Sequence, residues 1–155
     1  FGLTVAPEKT GWMRFSRFHP SRRRRIIFLG FETYWTKDSK GLVRVMQRTA
    51  PKKLQGACRR IKDWIKVNRH LKGIQFITAL NRRLRGHYNY YSVVGNLRSL
   101  LRFYVWAVEC AFKWLNRRGG KRKSFTWKAF SRAIERLGLA KPKLPVATKR
   151  HRVFS

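Results

Sequence analysis

The sequence predicts an α+β chain, mostly α, in which a β-hairpin leads into a bundle of three to four helices. Two patterns predict it. Between Ile26 and Met46, β-branched and aromatic residues flank a cluster of turn residues, and beyond Thr49 apolar residues recur every three to four positions. A third observation bounds the reading. Hydrophobic residues make up 43% of the 155 positions, enough for a packed core, while 38 lysines and arginines face only 6 acidic residues. The net charge of +32 is spread over every segment, and self-repulsion on that scale destabilises a compact state unless a polyanion neutralises it. Nucleic acid is the first polyanion to consider and an anionic membrane the second.

Residues 1–20 carry a short apolar piece, Leu3-Thr4-Val5, and an aromatic-basic segment from Trp12 to Phe18; Arg22 to Arg25 then form a charged loop. Ile26 to Trp35 reads as one strand, Thr36 to Gly41 as its turn, and Leu42 to Met46 as the returning strand. Gly30 inside the first strand marks a bulge, a close backbone approach, or relief of a crowded twist.

Thr49 or Ala50 caps the first helix, with Pro51 in its first turn. Leu54, Cys58, Ile61 and Ile65 face inward there, flanked by Ala57 and Trp64, and Lys52, Arg59, Asp63 and Lys66 lie opposite. Arg59 and Asp63 are four apart, the spacing of a surface ion pair. This helix should end near Asn68-Arg69-His70. The second starts at Gly73 or Ile74 and places Ile77, Leu80, Leu84, Tyr88 and Tyr91 on one stripe, with Arg82, Arg85 and Asn89 outward. Gly86 between them costs ~1 kcal/mol relative to alanine, which implies close approach by a phosphate or by another protein segment.

After Gly95-Asn96 a third helix should turn Leu97, Leu101, Tyr104, Val108, Phe112 and Leu115 inward and Arg102, Trp106, Lys113 and Arg117 outward. Trp106 is then either a stacking platform or a seam to a neighbouring domain. Arg118 to Lys123 is a basic loop. Ser124 or Thr126 caps a short fourth helix holding Trp127, Phe130, Ile134 and Leu137, which Gly138 stops. The units are therefore residues 1–48, a helical domain 49–137, and a basic, proline-punctuated tail 138–155 with no assigned structure.

Several function classes are excluded. The apolar run Phe103–Val108 is bracketed by Arg102 and Glu109 and falls far short of the ~20 residues a membrane span needs. No signal peptide is visible, and Cys58 and Cys110 read as ordinary thiols of a reducing compartment, which points to a cytoplasmic chain. The carboxylates Glu8, Glu32, Asp38, Asp63, Glu109 and Glu135 form no local pair, so two-metal phosphoryl transfer has no signature here. The histidines show no metal-ligand spacing, there is no C-x-x-C, and no glycine-rich phosphate loop is present. The sequence assigns no catalytic residue and no metal ligand. His87 reads as a structural or RNA-contacting imidazole.

Binding is where the residues point. From Leu80 to Tyr104 arginines alternate with tyrosine and phenylalanine; arginine supplies planar donors for phosphate, and aromatic rings stack on unpaired bases. Lys52, Arg59, Arg82, Arg85, Gly86 and Asn89 are the RNA-binding candidates of the first two helices. Arg102, Lys113, Arg117, Arg118, Lys121, Arg122 and Lys123 continue the set. A DNA-binding helical module of a transposase- or repressor-like protein is the competing reading, against which no helix-turn-helix is clear. A ribosome-associated structural protein is a third.

Phe28-Leu29-Gly30-Phe31 after a basic loop, then Pro51-Lys52-Lys53-Leu54, then Leu84-Arg85-Gly86 with Tyr88-Asn89-Tyr90-Tyr91, resemble group II intron-encoded reverse transcriptases, or maturases. Arg102-Phe103-Tyr104, Trp114-Leu115-Asn116-Arg117-Arg118 and Ser124-Phe125-Thr126-Trp127 continue the match in order. The resemblance implies that Glu8-Lys9-Thr10 is the lysine-bearing end of a palm and that the hairpin is a palm remnant. It implies that Phe28, Leu29, Gly30 and Phe31 form the primer grip, and that Pro51 to Leu137 is the thumb, or maturase X domain. The expected partners are group II intron RNA or a template-primer duplex, together with an upstream fingers and palm half. No cofactor is expected in this chain, and Mg2+ only with the aspartates of that palm. The family's paired aspartates and its endonuclease region have no counterpart here, so the chain is expected to be a fragment or the product of a truncated gene.

Overall fold

The structure, a computed structural model, describes residues 13–21, 23–38, 40–117 and 124–143. An antiparallel sheet in the order β1 (Ile26–Phe28), β2 (Phe31–Lys37), β3 (Val43–Thr49) precedes four helices: α1 (Pro51–Asn68), α2 (Gly73–Tyr91), α3 (Leu97–Leu115) and α4 (Trp127–Arg136). The chain is α+β, mostly α.

The expected hairpin is a three-stranded sheet, because the run read as one strand breaks at Leu29-Gly30. Phe28 pairs with Phe31 across a two-residue turn, and both turn residues have positive φ, 47° at Leu29 and 82° at Gly30. Two consecutive positive φ values match the twist of flanking strands, which is why short hairpins use them; leucine is a strained choice at the first. The second turn follows expectation. Asp38 Oδ1 accepts from the N–H groups of Lys40 and Leu42, at 2.9 and 3.0 Å, and Gly41 takes φ 77°.

Ala50 caps α1 and Pro51 opens it, where the missing N–H costs nothing. Ala57, Ile61 and Ile65 are buried and pack chiefly against α3, with Leu54, Cys58 and Trp64 half-buried beside them. On α2, Phe76, Ile77, Leu80, Leu84 and Tyr88 are buried, while Tyr91 is half-buried. The face of α3 differs from expectation. Leu97 and Leu101 are exposed, and the core is reached by Leu100, Phe103, Ala107, Val108, Cys110 and Ala111. Small residues at Ala107 and Ala111 let the backbone of α1 come close, and in that orientation Leu100 points inward while Leu97 and Leu101 face out. Trp106 lies on the seam with α1, where its Nε1 donates to the Cys58 carbonyl at 3.0 Å.

Thr126 caps α4, its hydroxyl accepting from Ala129 N–H at 3.2 Å. Trp127, expected in the core, is exposed and covers it from outside, edge-on to Phe112 and tilted against Phe130. Gly138 (φ 70°) ends the helix: its N–H reaches the Glu135 carbonyl and that of Leu139 the Ile134 carbonyl, a double closure that satisfies orphan carbonyls. The segment after it, left without structure by the sequence, lies along α2. Asn81 donates to the Gly138 carbonyl (2.8 Å) and accepts from Ala140 N–H (2.7 Å), Tyr88 donates to the Ala140 carbonyl, and Ser92 to that of Lys143.

Asn96 joins sheet to bundle. Fully buried, it accepts from Thr49 N–H and donates to Thr49 Oγ1 and the Tyr91 carbonyl, each at 2.8 Å. The expected Arg59–Asp63 ion pair does not form; both side chains extend into solvent, where a pair would contribute little. No helix among the described residues is long and apolar enough to cross a membrane.

Candidate nucleic-acid interface

The tip of the sheet and the groove between α1 and α2 share side chains. Tyr90 and Tyr91, at the end of α2, face the Leu29-Gly30 turn. Tyr90 OH donates to the Leu29 carbonyl at 2.9 Å, and its ring stacks on Phe31 with centroids 5.9 Å apart. A Cβ on Gly30 would stand 2.9 Å from Tyr91 Oη, so of the readings left open for this glycine a close approach is found, made by a side chain of α2. Ala50 N–H donates to the Gly30 carbonyl at 2.8 Å. The strained turn is thus held from three sides. Phe28 (68% exposed) and Leu29 (66%) project from it into solvent, and Ile26 and Ile27 are exposed behind them.

From those tyrosines a groove of about 410 Å³ runs between the helices, lined by Arg60 of α1, by Arg83, Gly86 and His87 of α2, and floored by Phe103. Arg83 lies over the Trp64 ring at 4.2 Å and donates to the Ala79 carbonyl, which fixes its guanidinium at the rim. Gly86 is exposed, and a Cβ there would meet nothing within 4 Å. No described segment of this chain therefore demands glycine at that position.

His87 is the titratable group of the groove. Its ring stacks on Phe103 (3.9 Å between centroids) and contacts Tyr91 (4.7 Å), and its Nε2 is buried with no hydrogen-bond partner among the described residues. Burial, and secondarily the positive charge of Arg60, push its pKa down to about 4. The imidazole is neutral at pH 7. Below pH 6.5 the unfolded chain binds a proton here that the folded chain refuses until about pH 4, so stability is complete above pH 6.5 and declines through that window. Denaturant melts between pH 7.5 and 4.5 are expected to lose stability along this limb with a slope of at most one proton. In a His87→Phe variant, which keeps the stack and removes the titration, that contribution should vanish.

The other candidates do not converge. Lys52, Arg59, Arg82, Arg85, Gly86, Asn89, Arg102, Lys113 and Arg117 are all exposed, but on separate faces. Gly86 alone lies in the groove. Arg85 and Asn89 border a hollow toward the segment Ala140–Lys143, and Arg102 faces a cleft at the sheet. Arg117 joins Lys66 and Arg69 around the Trp114 ring, at 5.4 to 5.5 Å. Arg118, Lys121, Arg122 and Lys123, and the palm-end reading of Glu8-Lys9-Thr10, lie outside the described residues. Arg60, Arg83 and Tyr90 were missed, although Arg83, Gly86, His87 and Tyr90 follow the three-and-four spacing of one helix face.

Among the described residues no carboxylate cluster stands near this surface. Glu32 is bound to Arg25 and Arg48, Asp38 to Arg44, and among the described residues no group of three or more His, Cys, Asp or Glu side chains could hold a metal ion. Cys58 and Cys110 are free thiols, half-buried and buried, and burial raises both pKa values. Comparison with protein-family models, with curated proteins and with solved structures found no match.

Proposed function

We propose that the chain is the RNA-binding thumb and maturase portion of a group II intron reverse transcriptase, supporting intron splicing and clamping template and primer. The observation that carries this reading is the continuity of the sheet tip with the α1–α2 groove through Tyr90 and Tyr91. The turn Phe28–Phe31, which resembles a primer grip, presents two exposed apolar side chains, while the groove beside it presents arginines and ring faces. A strand end resting on the first and a phosphate backbone tracking the second would be gripped by one rigid unit, through stacking and charge-assisted hydrogen bonds. The basic faces of α2 and α3 then meet folded RNA by shape and phosphate contact. The exposed apolar edge Ile26–Leu29 suits an upstream palm half as its neighbour.

The described residues do not fit a catalytic Mg2+ site, since Glu32 and Asp38 are committed to arginines and the remaining acids stand apart. No nucleotide-addition step is assigned to this chain. A template-primer extension assay tests the division of labour. The purified chain alone should extend nothing, whatever metal is supplied, and a mixture with an upstream half bearing the palm aspartates should extend the primer. Robust extension by the chain alone, surviving a control for contaminating polymerase, would overturn the assignment.

A further inference from the structure

We infer that a cleft between the sheet and the start of α3 is a phosphate subsite, which takes one backbone phosphate of the RNA; the inference rests on the RNA-binding reading above. The cleft holds about 300 Å³, the lower end of the roughly 300–1,000 Å³ typical of ligand sites, which is room for one nucleotide unit. Four guanidinium groups line it, Arg25 and Arg48 from the sheet side and Arg98 and Arg102 from successive turns of α3. Among the described residues one carboxylate answers them. Glu32, only 4% exposed, accepts from Arg48 Nε and Nη2, both at 2.8 Å, and from Arg25 Nη1 at 3.3 Å.

That arrangement fixes two forks in place and leaves two available. Arg98 and Arg102 make no ion pair among the described residues, and Arg48 is further steadied by the Tyr34 ring, 5.5 Å from its Cζ. The cleft cannot open by a hinge at Gly95 without cost. Gly95 has φ 93°, and the next residue, the buried Asn96, is hydrogen-bonded to Thr49 N–H and Oγ1, so the connection is tied to the sheet. Four cations around one buried carboxylate repel one another, and a bound anion relieves that repulsion. A tetrahedral phosphate offers oxygens in several directions at once, which suits forks converging from two elements; a planar carboxylate offers two oxygens in one plane.

The test uses the whole chain and two double variants. Inorganic phosphate, titrated while the Arg48 Nε–H resonance is followed by NMR, should give a saturable shift that Arg98→Gln/Arg102→Gln abolishes. The same variant should bind RNA more weakly on every sequence, with the slope of log K against log salt flattened by about 1–2. Arg132→Gln/Arg136→Gln on α4 removes the same charge and should change the slope less. Melting temperatures of all three proteins should agree, since these arginines are exposed. If the parent binds RNA, phosphate gives no saturable shift and the two variants match, the subsite is overturned and the RNA reading stands. If the Arg98/Arg102 variant loses an upstream protein half while its RNA slope is unchanged, the occupant is a protein carboxylate and the subsite is likewise overturned. A parent that binds no RNA removes the RNA reading itself, and with it a backbone phosphate as occupant.

Discussion

RNA affinity is expected to fall about 250- to 1,000-fold between 50 and 200 mM salt, a slope of log K against log salt near −4 to −5 for roughly 6 phosphate contacts. The expectation follows from where the charges stand. Of the acids among the described residues, Glu32, Asp38 and Glu135 are held in ion pairs, and the only other two, Asp63 and Glu109, are exposed singly. Most lysines and arginines of the helices are exposed and unpaired, so each one that meets a phosphate displaces a condensed counterion. Arg60, Arg83, Arg98 and Arg102, which line the grooves, are exposed to water, which makes screening effective. Binding that stayed flat over this range would remove the electrostatic mechanism.

Leu84→Ala is expected to destabilise the chain by about 2–5 kcal/mol. Leu84 has no exposed surface and belongs to the core cluster that also holds Leu80, Phe103 and Ala107. α1, α2 and α3 all contribute buried side chains to that cluster, so filling the cavity left by truncation would require a helix to move. Leu101, which the sequence placed on the same core stripe, is 44% exposed, and its truncation is expected to cost about 0.5 kcal/mol or less. Leu100→Ala should behave as Leu84→Ala does. Denaturant melts of the three variants check the faces: a large loss at Leu101 with none at Leu100 would mean that α3 is rotated from the orientation described.

That contrast shows which features the sequence carried. Where a helix has one apolar face, as α1 does with Ala57, Ile61 and Ile65, periodicity found it. α3 has a wide apolar sector, with Leu97, Leu101, Val105 and Trp106 exposed beside the buried stripe, so periodicity alone does not fix which part of it packs. The one chosen favoured large side chains, whereas the packed one uses Ala107, Cys110 and Ala111 to bring helices close. Pro51, Thr126 and Gly138 acted locally, through a missing N–H, a hydroxyl and a positive φ, and were legible for that reason.

The Leu29-Gly30 turn was not legible, because leucine at positive φ carries no turn signature; contacts from Tyr90 and Ala50, distant in sequence, hold it. The segment Leu139–Lys143 was hidden likewise. Asn81, Tyr88 and Ser92 fix it through its backbone, and backbone hydrogen bonds leave no trace in side-chain pattern. The candidate interface divided the same way. Exposure of the arginines followed from helical phase, but their grouping depended on how the helices cross and on the buried Asn96 that seats the sheet against them.

The central claim is recognition of folded RNA, and competition binding tests it most directly. A labelled structured group II intron RNA, bound by the chain at 150 mM salt, is challenged with unlabelled intron RNA and, separately, with duplex DNA of equal nucleotide count. Intron RNA should displace the label at far lower concentration than the duplex, because shape and unstacked bases add to the phosphate contacts that both competitors offer. Equal or better displacement by duplex DNA would contradict the account and favour a DNA-binding helical module.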